Sequence, residues 1–563
     1  MAFPKADVCI IGVGGTGGIA AYVLAQAGLK VVGLEAGPKL DSESFSMDEI
    51  SERGGRNQMG DIKANKEIPT GRRNSSAKAV KAAAIHPMMN AVGGTTIHWC
   101  AQAWRLLPDN FKVRTNTIKR YGEAALPPGT DIQDWPISYE DMEPYYDKVE
   151  YATGVSGKAG NIKGQKIEGG NVFEGPRQRE YPLPPLPTFC IGGLFETATK
   201  KMGYHPFPGA AAILSKDYDG RPGCTYCGWC CSYGCHIDAK SSTHVSTIPK
   251  ALATNNFDLR PLSRVVKLNT DDKGNVKSVT YLDSGGVTQE QEARLFILSS
   301  YTYENVRLLL LSKSDKFPKG LSNNAGMVGK YYFSHGNWSV NGIFPQGLNL
   351  FCGPQGQAIN IDDFNADNFD HTGLGFIRGT YICARNQLTP ISGAGNLPPG
   401  TPTWGSAYKE FIRQNFNHIG GLGSAGSAEV LPYDANYLDL DPDVKDDIGM
   451  PVIRITFDIY DNEKKMYAYL QAKSEEIMKE MGATNIWKPT PAAGLTSTHA
   501  QGGTRMGNDP KRSVVDKWCR CHEVPNLFIF SGSVHPTTSS YNPTENIQAL
   551  AWRGSEEIIR QLA

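Results

Sequence analysis

A glycine-rich turn near the N terminus constrains the fold of this chain more than any other feature. Residues 7–11 are a short apolar run, residues 12–17 read GVGGTG, and apolar residues then recur with helical spacing up to residue 27. A strand, turn and helix in this order bring backbone N–H groups to a dinucleotide pyrophosphate, and the acidic residue that ends the next apolar run (31–34) can hold a ribose hydroxyl. This acidic residue argues against NADP but does not separate NAD from FAD. The predicted nucleotide-binding residues are Gly12, Gly14, Gly15, Gly17 and Glu35.

Composition narrows the class of protein without naming a function. The chain has 563 residues, enough for two hydrophobic cores, and 57 basic residues balance 57 acidic ones. This balance predicts no nucleic-acid partner and no attraction to an anionic membrane surface. We also expect no membrane span, because no apolar run approaches the length of about 20 residues that a spanning helix needs. We expect no export signal on the chain, because the apolar run 6–11 is preceded by a single Lys and is followed by no small-residue cleavage site.

Three segments far apart in the chain resemble the glucose–methanol–choline (GMC) oxidoreductase family. They are GGTTIHW starting at Gly93, HAQGGTRMG starting at His499, and residues 526–550. The likeness spans the whole chain and implies FAD, with its ADP end on the N-terminal unit and its ring beside the last segment. The resemblance adds these cofactor contacts: Gly93, Gly94, Thr95, His98, Val265, Gly532, Ser533, Asn542 and Pro543.

The resemblance also implies a catalytic pair for alcohol oxidation. His499 matches the base of the family, which takes the hydroxyl proton as the C–H bond breaks. Asn542 matches the second position, and since an amide takes no proton at neutral pH, His499 would act as the only base. His98 resembles the histidine that some family members link covalently to the flavin; the alternative is that it only packs beside the ring.

The pattern of elements predicts an α/β protein, α+β overall, with two domains. A Rossmann-like FAD-binding domain comprises 1–125, 195–332 and 488–563, and a substrate domain built on an antiparallel sheet comprises 126–194 and 333–487. We predict substrate-domain strands at 337–344, 374–380, 418–423 and 452–460, and helices at 466–481 and from about Pro543 onward. Ser138 is the predicted N-cap of another helix.

A cysteine-rich insertion, 224–235, carries the remaining chemistry. Its five cysteines approach the C-x2-C-x2-C-x3-C spacing of iron–sulfur ligands and favour a three-iron or four-iron cluster, with zinc, disulfides or free thiols as alternatives. The predicted ligands are Cys224, Cys227, Cys230, Cys231 and Cys235. A second pair, Cys519 and Cys521, is interpreted as structural.

These features together predict an FAD-dependent dehydrogenase for a hydroxyl of a sugar, sugar acid or glycoside. Resemblance to large subunits of bacterial sugar dehydrogenases implies a small subunit that carries the export signal, a c-type cytochrome acceptor and a periplasmic location; a cytoplasmic location is the alternative. Two other functions remain open: an oxidase that uses oxygen and has a structural cysteine run, and a lyase without net redox change.

Overall fold

The computed structural model describes residues 3–50, 69–83, 88–385, 387–537 and 539–563. The strands of this part of the chain are β1 (Ala6–Ile11), β2 (Val31–Leu34), β3 (Thr70–Arg72), β4 (Val80–Lys81), β5 (Asn161–Ile162), β6 (Gln165–Lys166), β7 (Phe207–Pro208), β8 (Phe257–Arg260), β9 (Arg264–Thr270), β10 (Val276–Leu282), β11 (Thr288–Leu298), β12 (Ser339–Ile343), β13 (Ala358–Ile361), β14 (Ile382–Arg385), β15 (Ile419–Gly423), β16 (Tyr437–Lys445), β17 (Pro451–Thr456), β18 (Thr484–Trp487) and β19 (Leu527–Ile529). The α-helices are α1 (Gly17–Gln26), α2 (Val113–Tyr121), α3 (Tyr139–Thr153), α4 (Cys190–Lys201), α5 (Ile248–Ala253), α6 (Tyr301–Leu311), α7 (Pro390–Ala394), α8 (Gly405–Asn415), α9 (Asp461–Glu480) and α10 (Thr544–Leu562).

The central sheet carries the nucleotide-binding unit predicted from the sequence. Strands β8, β2, β1, β11 and β19 are parallel, and β10 and β9 continue the sheet as an antiparallel meander from the long strand β11. Strands β1, β2 and β19 are almost wholly apolar because they are buried on both faces. The carboxyl ends of β1, β2 and β11 therefore meet at one edge of the sheet, where parallel sheets bind ligands.

A second sheet matches the antiparallel sheet predicted for the substrate domain, with two corrections. Its order is β18-β12-β15-β14-β13-β7, with antiparallel pairs throughout. The strand predicted at 374–380 is wrong, because Gly375 and Arg378 have φ values of +73° and +69°, which extended backbone does not allow. The strand predicted at 452–460 forms as β17 but belongs to a separate sheet, in which it pairs with β16 and, in parallel, with β3.

The predicted C-terminal elements form, and they complete the parallel part of the central sheet and pack against its helices. β19 pairs with β11 in parallel, and α10 begins immediately after Pro543 and packs against α1 and α3. The capping prediction for α3 is confirmed: the Ser138 hydroxyl accepts from the Asp141 N–H at 3.3 Å, and the Asp141 carboxylate accepts from the Ser138 N–H at 2.8 Å. The N terminus of α10 is therefore held in place beside the ligand edge of the central sheet.

Candidate active site

One elongated cavity of about 490 Å³ lies at the ligand edge of the central sheet. It begins at the glycine turn and Glu35 and extends to His499 and Asn542 at the N terminus of α10. The segment after Gly93, which begins with a 3₁₀ turn over Gly94–Ile97, forms the wall between these ends. Segments that are distant in sequence thus line one continuous space.

The glycine turn has the backbone that the sequence predicted. Gly12 has φ +88°, and a Cβ on it would lie 2.7 Å from the Ser299 carbonyl oxygen, while a Cβ on Gly17 would lie 2.1 Å from the Gly12 carbonyl oxygen. Gly94 approaches the turn so closely that a Cβ on it would lie 2.9 Å from the Gly14 Cα. Gly12, Gly14 and Gly15 line the cavity, whereas Gly17 packs beneath it. The N terminus of α1 therefore faces a space kept free of side chains, which suits a pyrophosphate.

Glu35 lies where β2 ends and faces the same space. Its carboxylate accepts from the Val13 N–H at 2.8 Å and from the Gly37 N–H at 3.0 Å, and burial raises its pKa to about 7. Each oxygen has a further lone pair that a ribose hydroxyl can use. Val265, with the two residues before it, lines this end of the cavity as the resemblance implied. The donor set and the side-chain-free cradle fit the ADP half of FAD.

The structure brings His499 and Asn542 together at the other end. The Asn542 amide nitrogen lies 3.1 Å from His499 Nε2, and the Trp104 indole N–H donates to Asn542 Oδ1 at 3.2 Å. The Trp104 ring is stacked on Tyr541, with ring centres 4.7 Å apart. Pro543 and the first residues of α10 line the cavity, so the positive end of this long helix faces the position that the resemblance gives to the flavin ring.

Of the remaining cofactor contacts that the resemblance implied, some line the cavity and others lie behind its wall. Thr95, His98 and Gly532 line the cavity, whereas Gly93, with φ +98°, packs against His244. Ser533 lies behind the lining, with its hydroxyl oxygen 2.6 Å from Thr504 Oγ1 and 2.7 Å from Ser531 Oγ. The covalent link at His98 stays a prediction.

Two residues, one in contact with His499 and one lining the cavity, were not predicted from the sequence. His335 Nδ1 lies 3.0 Å from His499 Nδ1, and the side chain is buried. Gln102 lines the cavity with only 2% of its surface exposed, and its amide oxygen and nitrogen have no hydrogen-bond partner among the described residues. Neither residue belongs to a spaced motif, and the Gly-Thr-Thr-Ile-His-Trp segment just before Gln102 was the only local signal.

The cysteine insertion differs from the five-thiolate ligand set that the sequence suggested. Cys231 is bonded to Cys100 in a disulfide on the cavity wall, which removes it from the predicted set. Cys224, Cys227, Cys230 and Cys235 are free thiols, and the part of the chain that the structure describes contains no group of three or more His, Cys, Asp or Glu side chains arranged to hold a metal ion. The residues as placed do not fit an iron–sulfur cluster.

A buried lysine stabilises this cysteine loop. The Lys240 ammonium donates to the backbone carbonyls of Cys230 and Tyr233, each at 2.6 Å, and of Trp99 at 3.0 Å. Burial lowers the pKa of Lys240. The loop is thereby fastened to the wall segment that carries His98. The predicted structural pair Cys519 and Cys521 is buried, and both are free thiols.

The fold and this cavity together define a protein with a Rossmann-type dinucleotide site. Comparisons with known proteins give the family. A model of the GMC oxidoreductase C-terminal region matches residues 432–551. The chain is 34% identical to the gluconate 2-dehydrogenase flavoprotein of Pantoea cypripedii, over 99% of this chain and 94% of that protein. It is 29% identical to the fructose dehydrogenase large subunit of Gluconobacter japonicus, over 99% of this chain and 98% of that protein.

The chain belongs to the GMC oxidoreductase family, and membership implies FAD as its cofactor. The fold also resembles a solved structure, that of pyridoxine 4-oxidase from Mesorbium loti, with a TM-score of 0.59 and 14% identity over 98% of this chain and 99% of the other. Among the described residues, none of the helices has the length and apolar character required to span a membrane.

Proposed function

We propose that this protein is an FAD-dependent dehydrogenase that oxidises a hydroxyl-bearing carbon of a sugar, sugar acid or glycoside. The observation that carries this proposal is the contact between His499 Nε2 and the Asn542 amide at the end of the cofactor cavity. Names of relatives support the substrate class, because a gluconate and a fructose dehydrogenase align with the whole chain.

The residues of the chain divide the reaction between them. Bound FAD supplies the hydride acceptor. His499 Nε2 takes the proton of the substrate hydroxyl, and Asn542 donates to the hydroxyl oxygen and orients it. The buried amide of Gln102 offers one acceptor and two donors to a second hydroxyl, since an unsatisfied buried amide favours a polar ligand. A substrate with several hydroxyl groups could hydrogen-bond both to the His499–Asn542 pair and to the Gln102 amide.

The electron acceptor is proposed to be a cytochrome partner. The fructose dehydrogenase relative is named as a large subunit, which supports partner subunits, and the cytochrome is the partner that we propose among them. We also propose a periplasmic location by co-export with a small subunit. The Cys100–Cys231 disulfide supports this location, because disulfides persist in oxidising compartments. No electron step is assigned to the free cysteines.

The main test is anaerobic reduction of the purified holoenzyme by gluconate, fructose, glucose and a methyl glucoside. We expect at least one sugar to bleach the visible flavin absorbance, and a matched His499→Ala protein to bleach with dithionite but only slowly with the same sugar. Failure of every sugar to reduce a flavin that dithionite does reduce would contradict the substrate class.

An oxygen-using oxidase is the second candidate, favoured by the disulfide at Cys231 and by the absence of a metal-binding group among the described residues. Turnover with sugar under air separates the two functions. Stoichiometric hydrogen peroxide indicates the oxidase, whereas fast reduction of cytochrome c with little peroxide indicates the dehydrogenase. Iron analysis of the same sample tests the iron–sulfur hypothesis independently, and absence of iron and acid-labile sulfide contradicts it.

A further inference from the structure

His335 is the neighbour of His499 that the sequence did not reveal. It precedes β12, only 4% of its surface is exposed, and its ring meets the His499 ring edge-on with centres 5.0 Å apart. The two Nδ1 atoms are 3.0 Å apart, so one must carry a proton and donate a hydrogen bond, and the other must be unprotonated and accept that bond. Which nitrogen is the donor follows from the groups on either side.

The first determinant lies behind His335. Its Nε2 is 2.7 Å from the Ser539 backbone carbonyl, which can only accept, so Nε2 carries the proton of the His335 ring. Burial lowers the pKa of His335 well below its ordinary value, with His499 and His535 as the further charges that face it, so the ring is neutral. His335 Nδ1 is therefore a bare acceptor, and His499 Nδ1–H must be the donor.

The second determinant lies on the opposite side of His499. An indole N–H can only donate, so Trp104 fixes Asn542 with its oxygen toward the indole and its NH₂ toward His499. His499 Nε2 must then accept and is unprotonated. Ser539 and Trp104 thus impose the same tautomer independently: Nδ1 of His499 is protonated and Nε2 is bare.

The surrounding groups keep His335 neutral. The Gln501 NH₂ donates to the His499 backbone oxygen at 3.3 Å, and its amide oxygen accepts from His535 Nδ1–H at 2.7 Å. The same NH₂ lies 3.3 Å from His335 Nε2, a longer contact than the 2.7 Å to the Ser539 carbonyl, which therefore decides where the Nε2 proton points. His535 Nε2 faces the Asn546 amide at 3.1 Å, and burial lowers the pKa of His535 to about 3. No carboxylate takes part in these contacts, so the acceptor for His499 is a neutral imidazole.

We propose that His335 is a positioning residue that holds His499 in the tautomer with an unprotonated Nε2. In the reaction the substrate O–H bond breaks as Nε2–H forms, the O–H electron pair forms the second C–O bond of the carbonyl product, and the C–H bond breaks; bound FAD would supply the acceptor for the hydride that leaves the carbon. The resulting imidazolium keeps its Nδ1–H bond to His335 Nδ1, and that bond strengthens because its donor is now charged. This inference rests on the proposed function in that His499 is taken as the base.

Two variants of His335 distinguish its role as a hydrogen-bond acceptor for His499 from its role in packing. His335→Asn keeps an acceptor oxygen near the position of Nδ1, and His335→Phe keeps the ring shape but has no nitrogen. A hydrogen bond to a charged group contributes about 1.5–3 kcal/mol, so we expect the Phe protein to reduce its flavin with sugar about 10- to 100-fold more slowly. The Asn protein should stay within about fivefold of wild type, and KM should change little in either.

The pH profile and a nitrogen NMR measurement complete the test. We expect the Phe variant to shift the basic-group pKa in the kcat/KM profile, which a loss of packing alone would not do. In wild-type holoenzyme labelled with ¹⁵N-histidine, the His499 signals, assigned by their loss in His499→Asn, should show a protonated Nδ1 and a bare Nε2. This spectrum needs no substrate, so it decides the tautomer even if no sugar reduces the flavin.

Two results would overturn the proposal. One is a protonated Nε2 on His499 in the wild-type spectrum. The other is an equal loss of rate in the Asn and Phe variants with an unchanged pH profile, which would leave His335 with a packing role only.

Discussion

Substitution of Trp104 by Phe tests whether the indole N–H orients the Asn542 amide, which we propose contacts the substrate. Trp104 donates to Asn542 Oδ1 at 3.2 Å, and the NH₂ of the same amide faces His499 Nε2 at 3.1 Å. Phe retains a ring that can stack on Tyr541 but removes the donor, so the amide is free to turn its oxygen toward His499. Two acceptors would then face each other, and the substrate oxygen would lose its orienting group.

The size of this effect follows from the single bond that is lost. A neutral buried hydrogen bond contributes about 0.5–1.5 kcal/mol, which corresponds to a decrease of about 2- to 12-fold in the rate constant of flavin reduction. The smaller ring also leaves a cavity, whose effect must be separated from that of the bond. A double-mutant cycle with Asn542→Ala does this, because the cavity is present in both Phe proteins and cancels in the coupling free energy.

The assay is anaerobic stopped-flow reduction of the flavin by a saturating sugar, for wild type, Trp104→Phe, Asn542→Ala and the double variant. We expect a coupling of about 1 kcal/mol between the two sites. Trp338→Phe is a matched control, since Trp338 is buried and its indole N–H has no partner among the described residues. Additive effects within about 0.3–0.5 kcal/mol would refute the orienting role of Trp104.

Three further perturbations have defined outcomes. His499→Ala should lower turnover by about 100-fold or more while FAD is retained, and near-normal turnover would exclude His499 as the base. Gln102→Leu should raise KM for the sugar by about 5- to 100-fold, from 1–3 kcal/mol of lost hydrogen bonding, and should abolish discrimination against one deoxy analogue; an unchanged KM would place the amide away from the substrate. Burial raises the pKa of Glu429 from 4.5 to about 7 although Arg378 donates to it, so the folded state holds the extra proton. Protonated Glu429 therefore adds about 3 kcal/mol to the free energy of unfolding below about pH 4.5. This contribution is lost as the pH rises through about 7. Urea unfolding of Glu429→Gln at pH 5 and 8 should show a correspondingly smaller loss of stability than wild type, and parallel losses would contradict this assignment.

Structural elements that depend only on residues close together in the sequence were predictable from it. The glycine turn, the strands β1 and β2 and the N-cap at Ser138 depend on residues within a few positions of one another, and they form as predicted. The strand predicted at 374–380 failed because a tertiary contact prevailed over a local pattern. Arg378 is buried, where it pairs with Asp109 and donates to Glu429 at 3.0 Å, and the chain has a positive φ at this position.

The sequence by itself determined the nucleotide-binding unit, because that unit depends on a compact motif. The resemblance of distant segments to a known family implied FAD and the two residues proposed to act on the substrate. Tertiary structure alone decided the surroundings of those residues. Trp104 lies 438 positions from Asn542, His335 lies 164 positions from His499, and Cys231 lies 131 positions from Cys100. Contacts over such separations depend on how the sheets pack, and a hydrogen bond forms only when two atoms come within about 3 Å, which no spacing along the chain specifies. For this reason the sequence could suggest His499 as the base, whereas the tautomer proposed for it could be inferred only from the tertiary structure.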